Sequence, residues 1–262
     1  MSRFRRTAAL VALALMVALP GVASASHSWG NYHWAREANP FDLKTGDNVT
    51  TAWDGYLDEA IVDWSASNVL NLVEVAGNAK GRNCRPPVGR VEVCNGAYGQ
   101  NGWLGIAQIW VQGSHITQGS VRNNDTYFNM SQYNSVAYRD FVMCQEIGHT
   151  LGLDHTDENF ENANDGSCMD YTNDPDGGAG GASSNDPANT DPNAHDFAQL
   201  SSIYQHLDST TTVGLVAPTG SGAWHSEFGR EVARSNGATV STSVFVRDLG
   251  AGARVISLVI WA

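Results

Sequence analysis

The sequence is poor in basic residues and in long apolar runs. Its 262 residues contain 15 Lys and Arg against 27 Asp and Glu. A protein this acidic lacks the positive surface that binds nucleic acid or an anionic membrane, so we exclude both as partners. It has no internal repeat, and no apolar run beyond residue 25 is long enough to cross a membrane. We therefore expect a globular protein with no membrane insertion.

The one extended apolar run lies at the N-terminus and has the features of a secretory signal. Three arginines within residues 3–6 precede an apolar stretch over residues 8–19, and the small residues 23–25 supply a cleavage site. Loss of residues 1–25 leaves 12 basic against 27 acidic residues, a net charge of −15. We expect a secreted, extracellular protein.

The remaining chain divides into a main segment, residues 26–208, and a tail. Residues 209–225 are rich in Gly, Ser and Thr and predict a linker. Residues 226–262 contain three strand-like runs, and Asn236-Gly237 between the first two favours a hairpin. Three strands are marginal as an independent fold, so we expect the tail to dock on the main segment or to pair with a partner.

Hydrophobic patterning in the main segment predicts both helices and strands. Apolar residues at helical spacing from Trp53 to Trp64 indicate a helix capped by Thr50 or Thr51. Farther along the chain, Gly113 and Gly119 predict loops or a bulge after the strand at 106–111. Two further helices are expected at 135–151 and 194–207, and strands at 32–35, 69–75, 91–93 and 106–111.

One segment near the middle of the chain carries most of the chemical information. Gln145 and His149 are four residues apart on one face of a predicted helix, so both side chains can reach one ion. Gly152 lets the chain leave the helix in a conformation that a side chain would penalise, and His155 then returns toward the ion. Glu146 lies beside this face, where it can reach a metal-bound water. Three ligands with one open position are typical of catalytic zinc.

This segment resembles the zinc signature of the metzincin proteases, H-E-x-x-H-x-x-G-x-x-H, except that Gln145 stands in place of the first histidine. The resemblance implies that Gln145, His149 and His155 bind Zn²⁺ and that Glu146 is the general base. A glutamine amide oxygen reaches about as far as the distal nitrogen of histidine, but it is a weaker donor for zinc. The function therefore depends on whether Gln145 still holds a metal.

The run Cys168-Met169-Asp170-Tyr171 resembles the methionine turn of the same family. In that family the Met thioether forms an apolar floor beneath the metal, a role that falls on Met169, whereas an isolated Met is commonly core filler. Tyr171 has the spacing of a further zinc ligand or transition-state hydrogen-bond donor in some metzincins. A packed Tyr171 with a satisfied hydroxyl is the alternative.

The resemblance implies an α+β, zincin-like domain of the matrixin type over residues 26–208: a twisted mixed sheet, an active-site helix, a methionine turn and a C-terminal helix. It further implies that Leu104–Ala107 is an edge strand that pairs with substrate and that 172–193 shapes the specificity pocket. Asp196 would receive the mature N-terminal ammonium. The adjacent His195 is a spare ligand or, as we prefer, a surface or capping residue.

Three functional hypotheses follow. The first is a secreted, monomeric zinc endopeptidase that acts on proteins or peptides. The second is a catalytically silent metzincin-like protein that binds peptides in the cleft. The third, a carbohydrate- or wall-binding module led by the β-rich tail, rests only on the 8 tryptophans of the chain.

Four cysteines in an exported chain suggest two disulfides, with three possible pairings. We favour Cys84 with Cys94 and Cys144 with Cys168, since each pair then lies within one predicted region; free thiols or a Cys metal ligand are the alternative. The Asp-, Asn- and Gly-rich stretch around residues 174–178 could bind Ca²⁺, as in several metzincins. It matches no defined calcium loop, so a solvated loop is the preferred interpretation.

Overall fold

The computed structural model describes residues 27–79, 82–178, 185–216, 228–234 and 242–262. Outside these residues lie the predicted signal peptide, residues 217–225 of the predicted linker and the Asn236-Gly237 turn. No helix among them is both long and apolar enough to span a bilayer. The described elements are, in chain order, β1 (His33–Trp34), β2 (Phe41–Asn48), α1 (Asp54–Trp64), β3 (Leu70–Ala76), β4 (Val91–Gly96), β5 (Trp103–Gln112), β6 (His115–Asn124), α2 (Asp125–Phe128), α3 (Val136–Thr150), α4 (Ala194–Ile203), β7 (Arg230–Arg234), β8 (Thr242–Gly250) and β9 (Ala253–Trp261).

All described strands belong to one mixed sheet in the order β3-β2-β4-β6-β5-β9-β8-β7, with β1 added alongside β6. The pairs β2–β3, β2–β4, β4–β6 and β1–β6 are parallel, whereas β5 runs antiparallel to both β6 and β9. The fold is therefore a mixed α/β arrangement with a mixed sheet and few helices, in agreement with the coarse fold expected from sequence.

The sequence patterns located seven of these strands; β2 was missed, and so was β6. Its residues alternate poorly in hydrophobicity, and Gly119 at its centre suggested a loop. In the structure a Cβ on Gly119 would lie 3.0 Å from Val91 and 3.2 Å from Thr150, so this glycine lets helix α3 lie close to the sheet. The bulge expected nearby is present in β5, between Trp110 and Val111.

Helices α1 and α4 bury one face each, whereas α3 is buried on all sides from Phe141 to Thr150. Their ends differ from the predictions in two places. Ser135 caps α3 by accepting a hydrogen bond from the Tyr138 amide. The prediction that Thr50 or Thr51 caps α1 was wrong: Trp53 is the N-cap residue and makes no side-chain cap bond. The last helix ends at Ile203, four residues before the predicted end at 207.

The tail joins the sheet through its last strand. Strand β9 pairs with β5 along its whole length, from Trp103↔Trp261 to Gln112↔Ala253, and β8 and β7 follow outward. Five apolar side chains of β9 are buried: Val255, Ile256, Leu258, Val259 and Ile260. Strand β5 is therefore an interior strand, and the expectation that Leu104–Ala107 is an open edge for substrate does not hold for this structure.

Candidate active site

Helix α3 carries Gln145, Glu146 and His149, and all three side chains are fully buried. The helix ends at Thr150, and Gly152 then takes a φ of +98°. A Cβ on Gly152 would collide with the carbonyl oxygen of Tyr32. Only glycine fits both the backbone conformation and this close approach, so the turn that redirects the chain toward His155 depends on it.

Backbone bonds to the N-terminal segment fix the loop that precedes His155. Trp29 donates its N–H to the Gly152 carbonyl at 2.9 Å, and Asp154 donates its N–H to the His27 carbonyl at 2.7 Å. The His149 and His155 rings then meet edge to face with centroids 4.5 Å apart. The loop thus brings together two imidazoles that lie six positions apart in sequence.

A backbone carbonyl orients His149, whereas two carboxylates lie near His155 without a hydrogen bond to it. His149 Nδ1 lies 2.9 Å from the Leu153 carbonyl oxygen, which can only accept, so Nδ1 carries the proton and Nε2 presents a lone pair. His155 Nδ1 lies 3.5 Å from the Asp154 carboxylate and 3.7 Å from that of Glu158. Burial, and next the neighbouring His155, lower the pKa of His149 well below its usual value. His149 is therefore neutral at pH 7, the state that can bind a metal.

Gln145 is held by the turn that follows. Its Nε2 donates to the Cys168 carbonyl oxygen at 2.7 Å, while its Oε1 has no partner in the described part of the chain. The amide is thus oriented by its nitrogen, and the oxygen is left free as the donor atom that a metal would need. Zinc accepts oxygen ligands as well as nitrogen and sulfur.

The methionine turn lies directly beneath α3. A Cβ on Gly148 would lie 2.5 Å from Met169 Sδ and 2.7 Å from the Trp64 ring, so the absence of a side chain at 148 admits both. The Thr156 N–H donates to the Met169 carbonyl at 2.9 Å, which ties the turn to the chain just after His155. The thioether is therefore packed against the helix that bears the candidate ligands.

Two disulfides are present, Cys84–Cys94 and Cys144–Cys168, the same pairs that the sequence analysis favoured. The second joins α3 to the residue before Met169. Trp64 adds a further tie, since its Nε1 donates to the Cys144 carbonyl at 3.0 Å. The helix and the turn are thus fixed to each other covalently and through a buried tryptophan.

Glu146 faces strand β5. A Cβ on Gly105 would overlap the Glu146 carboxylate, so a glycine is needed at this point of the strand. Burial raises the pKa of Glu146 well above its usual value, and the opposing charge of Arg122 and the N–H of Ala107 lower it by less. No hydrogen bond of normal geometry is made to either carboxylate oxygen by the described residues. The carboxylate can therefore hold or release a proton in a site that excludes water.

Tyr171 completes the group. Its ring lies 4.4 Å from that of His155, and its hydroxyl is buried without a hydrogen-bond partner in the described residues. Burial, and next the charge of Glu146, raise the pKa of Tyr171 well above its usual value. The phenol therefore stays protonated at neutral pH and is available as a hydrogen-bond donor. The sequence analysis left open a packed tyrosine with a satisfied hydroxyl; no described residue supplies the partner that this alternative needs.

The donor set passes a simple test of whether it fits a metal. Buried polar atoms in folded proteins nearly always have a hydrogen-bond partner, and one that lacks it costs about 1–3 kcal/mol. Around the two imidazoles, several buried polar atoms lack one within the described ranges: Gln145 Oε1, both Glu146 oxygens, His149 Nε2, His155 Nε2 and the Tyr171 hydroxyl. A divalent cation, with its water, is the kind of group that would satisfy such a set.

Asp196 links the N-terminal segment, the start of α4 and the turn before Met169. Its carboxylate contacts the His27 Nε2 at 3.0 Å, accepts from Ser167 Oγ at 2.7 Å and accepts from the Asn193 N–H in a capping box. Ser167 Oγ in turn accepts from the Met169 N–H at 2.9 Å. Asp196 therefore contacts the His27 imidazole and supports the methionine turn. Its contact with the mature N-terminal ammonium stays a prediction, because residue 26 lies outside the described residues. His195 stacks on the His27 ring.

The Asp-, Asn- and Gly-rich stretch around residues 174–178, for which a solvated loop was preferred over a calcium site, forms a hydrogen-bonded turn. The Gly177 N–H donates to the Asp174 carbonyl at 3.0 Å, and the Asn189 N–H donates to the Pro175 carbonyl at 2.9 Å. Of the groups of three potential ligands found in the described ranges, none includes Asp174 or Asp176. Calcium binding there has no support.

Sequence reasoning missed the residues that surround the site. The sequence could not show that Gly105, Gly148 and Trp64 belong to the site, because each takes part only through contacts with residues distant in sequence. Arg122 could have been suspected as a basic residue in an acidic chain, but its strand was not predicted. It is buried, and burial lowers its pKa from the usual value.

No family model and no curated protein matches the sequence. Among solved structures, part of the chain is similar to high choriolytic enzyme 1, a hatching-enzyme zinc protease from the medaka fish Oryzias latipes. The alignment covers 66% of this chain and 94% of that chain, with 14% sequence identity and a TM-score of 0.37. A likeness this distant carries no argument about the activity of the present chain, which has to be inferred from its own residues.

Proposed function

We propose that this protein is a secreted zinc-dependent endopeptidase with a zincin-like catalytic domain. One observation carries the proposal: the buried polar atoms around His149 and His155 that lack hydrogen-bond partners include all those that the metzincin resemblance assigns to zinc and to catalysis. A set of unpartnered donors and acceptors reduces stability, so its presence favours a functional role.

In the proposed reaction, Gln145 Oε1, His149 Nε2 and His155 Nε2 hold the ion. Zinc, when bound, supplies a Lewis acid for the scissile carbonyl and lowers the pKa of a water molecule. The Glu146 carboxylate accepts a proton from the attacking water and passes it to the leaving amine nitrogen. The Tyr171 hydroxyl donates a hydrogen bond to the oxygen that becomes negative in the transition state. The burial of Glu146 and Tyr171 strengthens both interactions because water competes less.

A second candidate function is a catalytically silent protein that binds peptides or a partner. The pairing of β5 on both sides counts against the protease: β6 and β9 occupy the two edges of this strand, so a peptide substrate cannot add to it. A silent protein would have to bind its partner elsewhere. The weaker zinc donor at Gln145 points the same way. For protease activity, the substrate would have to reach the proposed metal ion from another side, or β9 would have to be displaced.

The experiment that separates these functions compares the mature wild type with Glu146→Ala and Gln145→His. Zinc bound per chain and cleavage of casein are measured on each protein after chelation and return of Zn²⁺. For a protease, casein cleavage by the wild type disappears in Glu146→Ala, while zinc is retained because Glu146 is not a ligand. Gln145→His should bind zinc more tightly, since imidazole is the better donor.

The opposite outcome supports the silent protein. A wild type that neither retains zinc at this site nor cleaves casein, but gains both in Gln145→His, would mean that an intact scaffold is inactive because of one residue. Cleavage that persists unchanged in Glu146→Ala would contradict the proposed mechanism, because the other carboxylates near the imidazoles, those of Asp154 and Glu158, lie beside Nδ1 of His155 and not beside its proposed ligand atom, Nε2.

A further inference from the structure

A cavity of about 340 Å³ lies on the face of the sheet that points away from helix α3. Asn123 on β6 contacts the Met143 sulfur of α3 at 3.7 Å, so its neighbour Arg122 points to the opposite face, since side chains alternate along a strand. We call this cavity the arginine pocket. Two arginines and four aromatic rings line it: Arg82, Tyr98, Trp103, Arg122, Phe228 and Trp261.

Arg122 brings a buried charge to this pocket without an opposite charge beside it. Its side chain is only 5% exposed, yet it forms no ion pair with a described carboxylate. One guanidinium N–H donates to Gln108 Oε1 at 3.2 Å, while the buried Nε has no hydrogen-bond partner in the described ranges. Buried charges in proteins are normally paired and hydrogen-bonded. The unpaired guanidinium therefore indicates a partner that the chain itself does not supply.

The nearby rings do not take the place of that partner. The Arg122 guanidinium lies 6.0 Å from the centre of the Tyr98 ring and 5.7 Å from that of Trp103. Such cation–π contacts stabilise a charge, but they leave the Nε–H without an acceptor. A carboxylate accepts two parallel hydrogen bonds from a guanidinium, so it is the kind of group that would satisfy Arg122.

The charge around the pocket also favours an anion. The chain has a net charge of −12, but none of the described residues that line this cavity is acidic. A second arginine, Arg82, lies at its rim with its guanidinium 5.8 Å from the centre of the Tyr98 ring. Two positive charges at one cavity of an acidic protein attract a negative ligand and repel a cation.

Contacts outside the pocket hold its aromatic walls in place. The Trp261 Nε1–H donates to Ser243 Oγ at 3.0 Å, and a Cβ on Gly102 would lie 3.3 Å from the Trp261 ring, so this glycine admits the ring. The Tyr98 N–H donates to Asn124 Oδ1 at 3.1 Å. Ligand sites are typically preformed in this way, with apolar walls and few polar groups. Aromatic walls stack against flat apolar groups.

We propose that the arginine pocket binds a small aromatic acid, whose carboxylate pairs with Arg122 and whose ring packs against the aromatic walls. A free aromatic acid and a peptide that ends in an aromatic residue both carry this chemistry. The site gives the tail a role, because Phe228 and Trp261 belong to it. The assignment does not depend on the proposed protease function, since none of the residues proposed for zinc or catalysis lines the pocket.

The test titrates the metal-free mature chain with hydrocinnamate and with its neutral amide. A chelator is present throughout, so that zinc at the candidate active site cannot bind the carboxylate. Binding is followed by the NMR signals of the ligand and by tryptophan fluorescence, since Trp103 and Trp261 line the pocket. Both titrations are repeated with Arg122→Met and with the matched control Arg254→Met, whose exposed arginine lies on β9 outside the pocket.

We expect hydrocinnamate to bind the wild type with a Kd on the order of 1 mM or tighter, as suits a ligand of about a dozen non-hydrogen atoms. The amide should bind about 10–100-fold more weakly, because hydrogen bonds between charged groups are the stronger ones. Arg122→Met should weaken the acid by the same factor and leave the amide unchanged, whereas Arg254→Met should match the wild type. Circular dichroism checks the fold of each variant.

The comparison of acid with amide in the wild type depends on no variant. Equal binding of the two, binding of the acid that survives Arg122→Met, or no binding at roughly ten times the expected Kd would overturn the proposal. N-acetylphenylalanine, which presents the carboxylate of a peptide end, distinguishes the two sources. Binding tighter than that of hydrocinnamate indicates a peptide end, and weaker binding indicates a free acid.

One more variant tests whether the chain supplies the carboxylate itself. Glu227 is the only acidic residue that lies outside the described ranges. If the pocket takes an external acid, Glu227→Gln should bind hydrocinnamate as the wild type does. Binding by this variant alone would mean that Arg122 is paired within the chain, and it would overturn the proposal.

Discussion

The unpartnered hydroxyl of Tyr171 leads to a prediction in which stability and activity change in opposite directions. The hydroxyl is buried and has no hydrogen-bond partner among the described residues. A buried polar group without a partner costs about 1–3 kcal/mol, and Tyr171→Phe removes that cost while it keeps the ring contact with His155. We expect the metal-free variant to have a free energy of unfolding about 1 kcal/mol higher than that of the wild type. The smaller value allows for the lost contacts of the oxygen atom.

The chain offers a matched control in Tyr204, which is equally buried. Its hydroxyl donates to the Leu151 carbonyl at 2.8 Å and accepts from the Trp34 N–H at 3.3 Å. Tyr204→Phe leaves both backbone groups without this partner, so it should lower the free energy of unfolding by about 1–3 kcal/mol. The same Tyr→Phe change is thus predicted to raise the free energy of unfolding at one buried site and to lower it at the other.

The assay is urea unfolding of chelator-treated protein at pH 7, followed by two spectroscopic probes to check for a two-state transition. Casein cleavage is then measured after Zn²⁺ is returned. If Tyr171 donates to the transition state, its loss should reduce kcat by about 10²–10³-fold. The reasoning is refuted if Tyr171→Phe destabilises the metal-free protein as much as Tyr204→Phe, because the hydroxyl would then already be satisfied within the fold.

Three further predictions concern the frame of the site. Replacing Cys144 and Cys168 with Ser opens a crosslink between residues 24 apart and should lower the free energy of unfolding by about 3.5 kcal/mol; an unchanged urea midpoint would contradict this. Gly148→Ala should destabilise by about 1–3 kcal/mol because the new methyl group collides with the methionine sulfur, whereas Gly55→Ala, which meets no atom within 4 Å, should not. Burial raises the pKa of Asp140 to about 7, so the folded protein loses stability as the pH rises from about 4 to 7. Asp140→Asn should therefore raise the unfolding temperature at pH 8 but change it little at pH 4.5. A difference in unfolding temperature between variant and wild type that is constant across this pH range would count against the raised pKa.

The sequence predicted the local parts of this fold well, because those parts depend on local spacing. The repeat of apolar residues in α1 and α3 follows from helical geometry, and a short apolar run such as β4 needs only its own residues. Strand β6 could not be predicted, since Gly119 is required by a helix that arrives thirty residues later. The order of strands, and with it the coverage of β5 by β9, depends on pairing between distant segments that no local pattern records.

In the candidate site, too, local spacing could be predicted from the sequence, whereas contacts between distant segments could not. The spacing of Gln145, His149 and His155 was enough to predict that they act together, and they share one helix and the loop after it. Whether Tyr171 is functional or merely packed could not be decided from its spacing, because the answer depends on a missing hydrogen bond. The contact of Asp196 with His27 could not be predicted for a related reason: this imidazole belongs to no motif.

The N-terminal segment, residues 27–36, connects the candidate active site to the sheet. Backbone bonds of His27 and Trp29 fix the loop that carries His155, and a few residues later β1 pairs with the start of β6. Because β1 is only two residues long, a shift of this segment away from β6 would also move the loop that carries His155. The motif predicts which atoms could bind a metal, but the positions of those atoms depend on residues more than a hundred positions earlier in the chain.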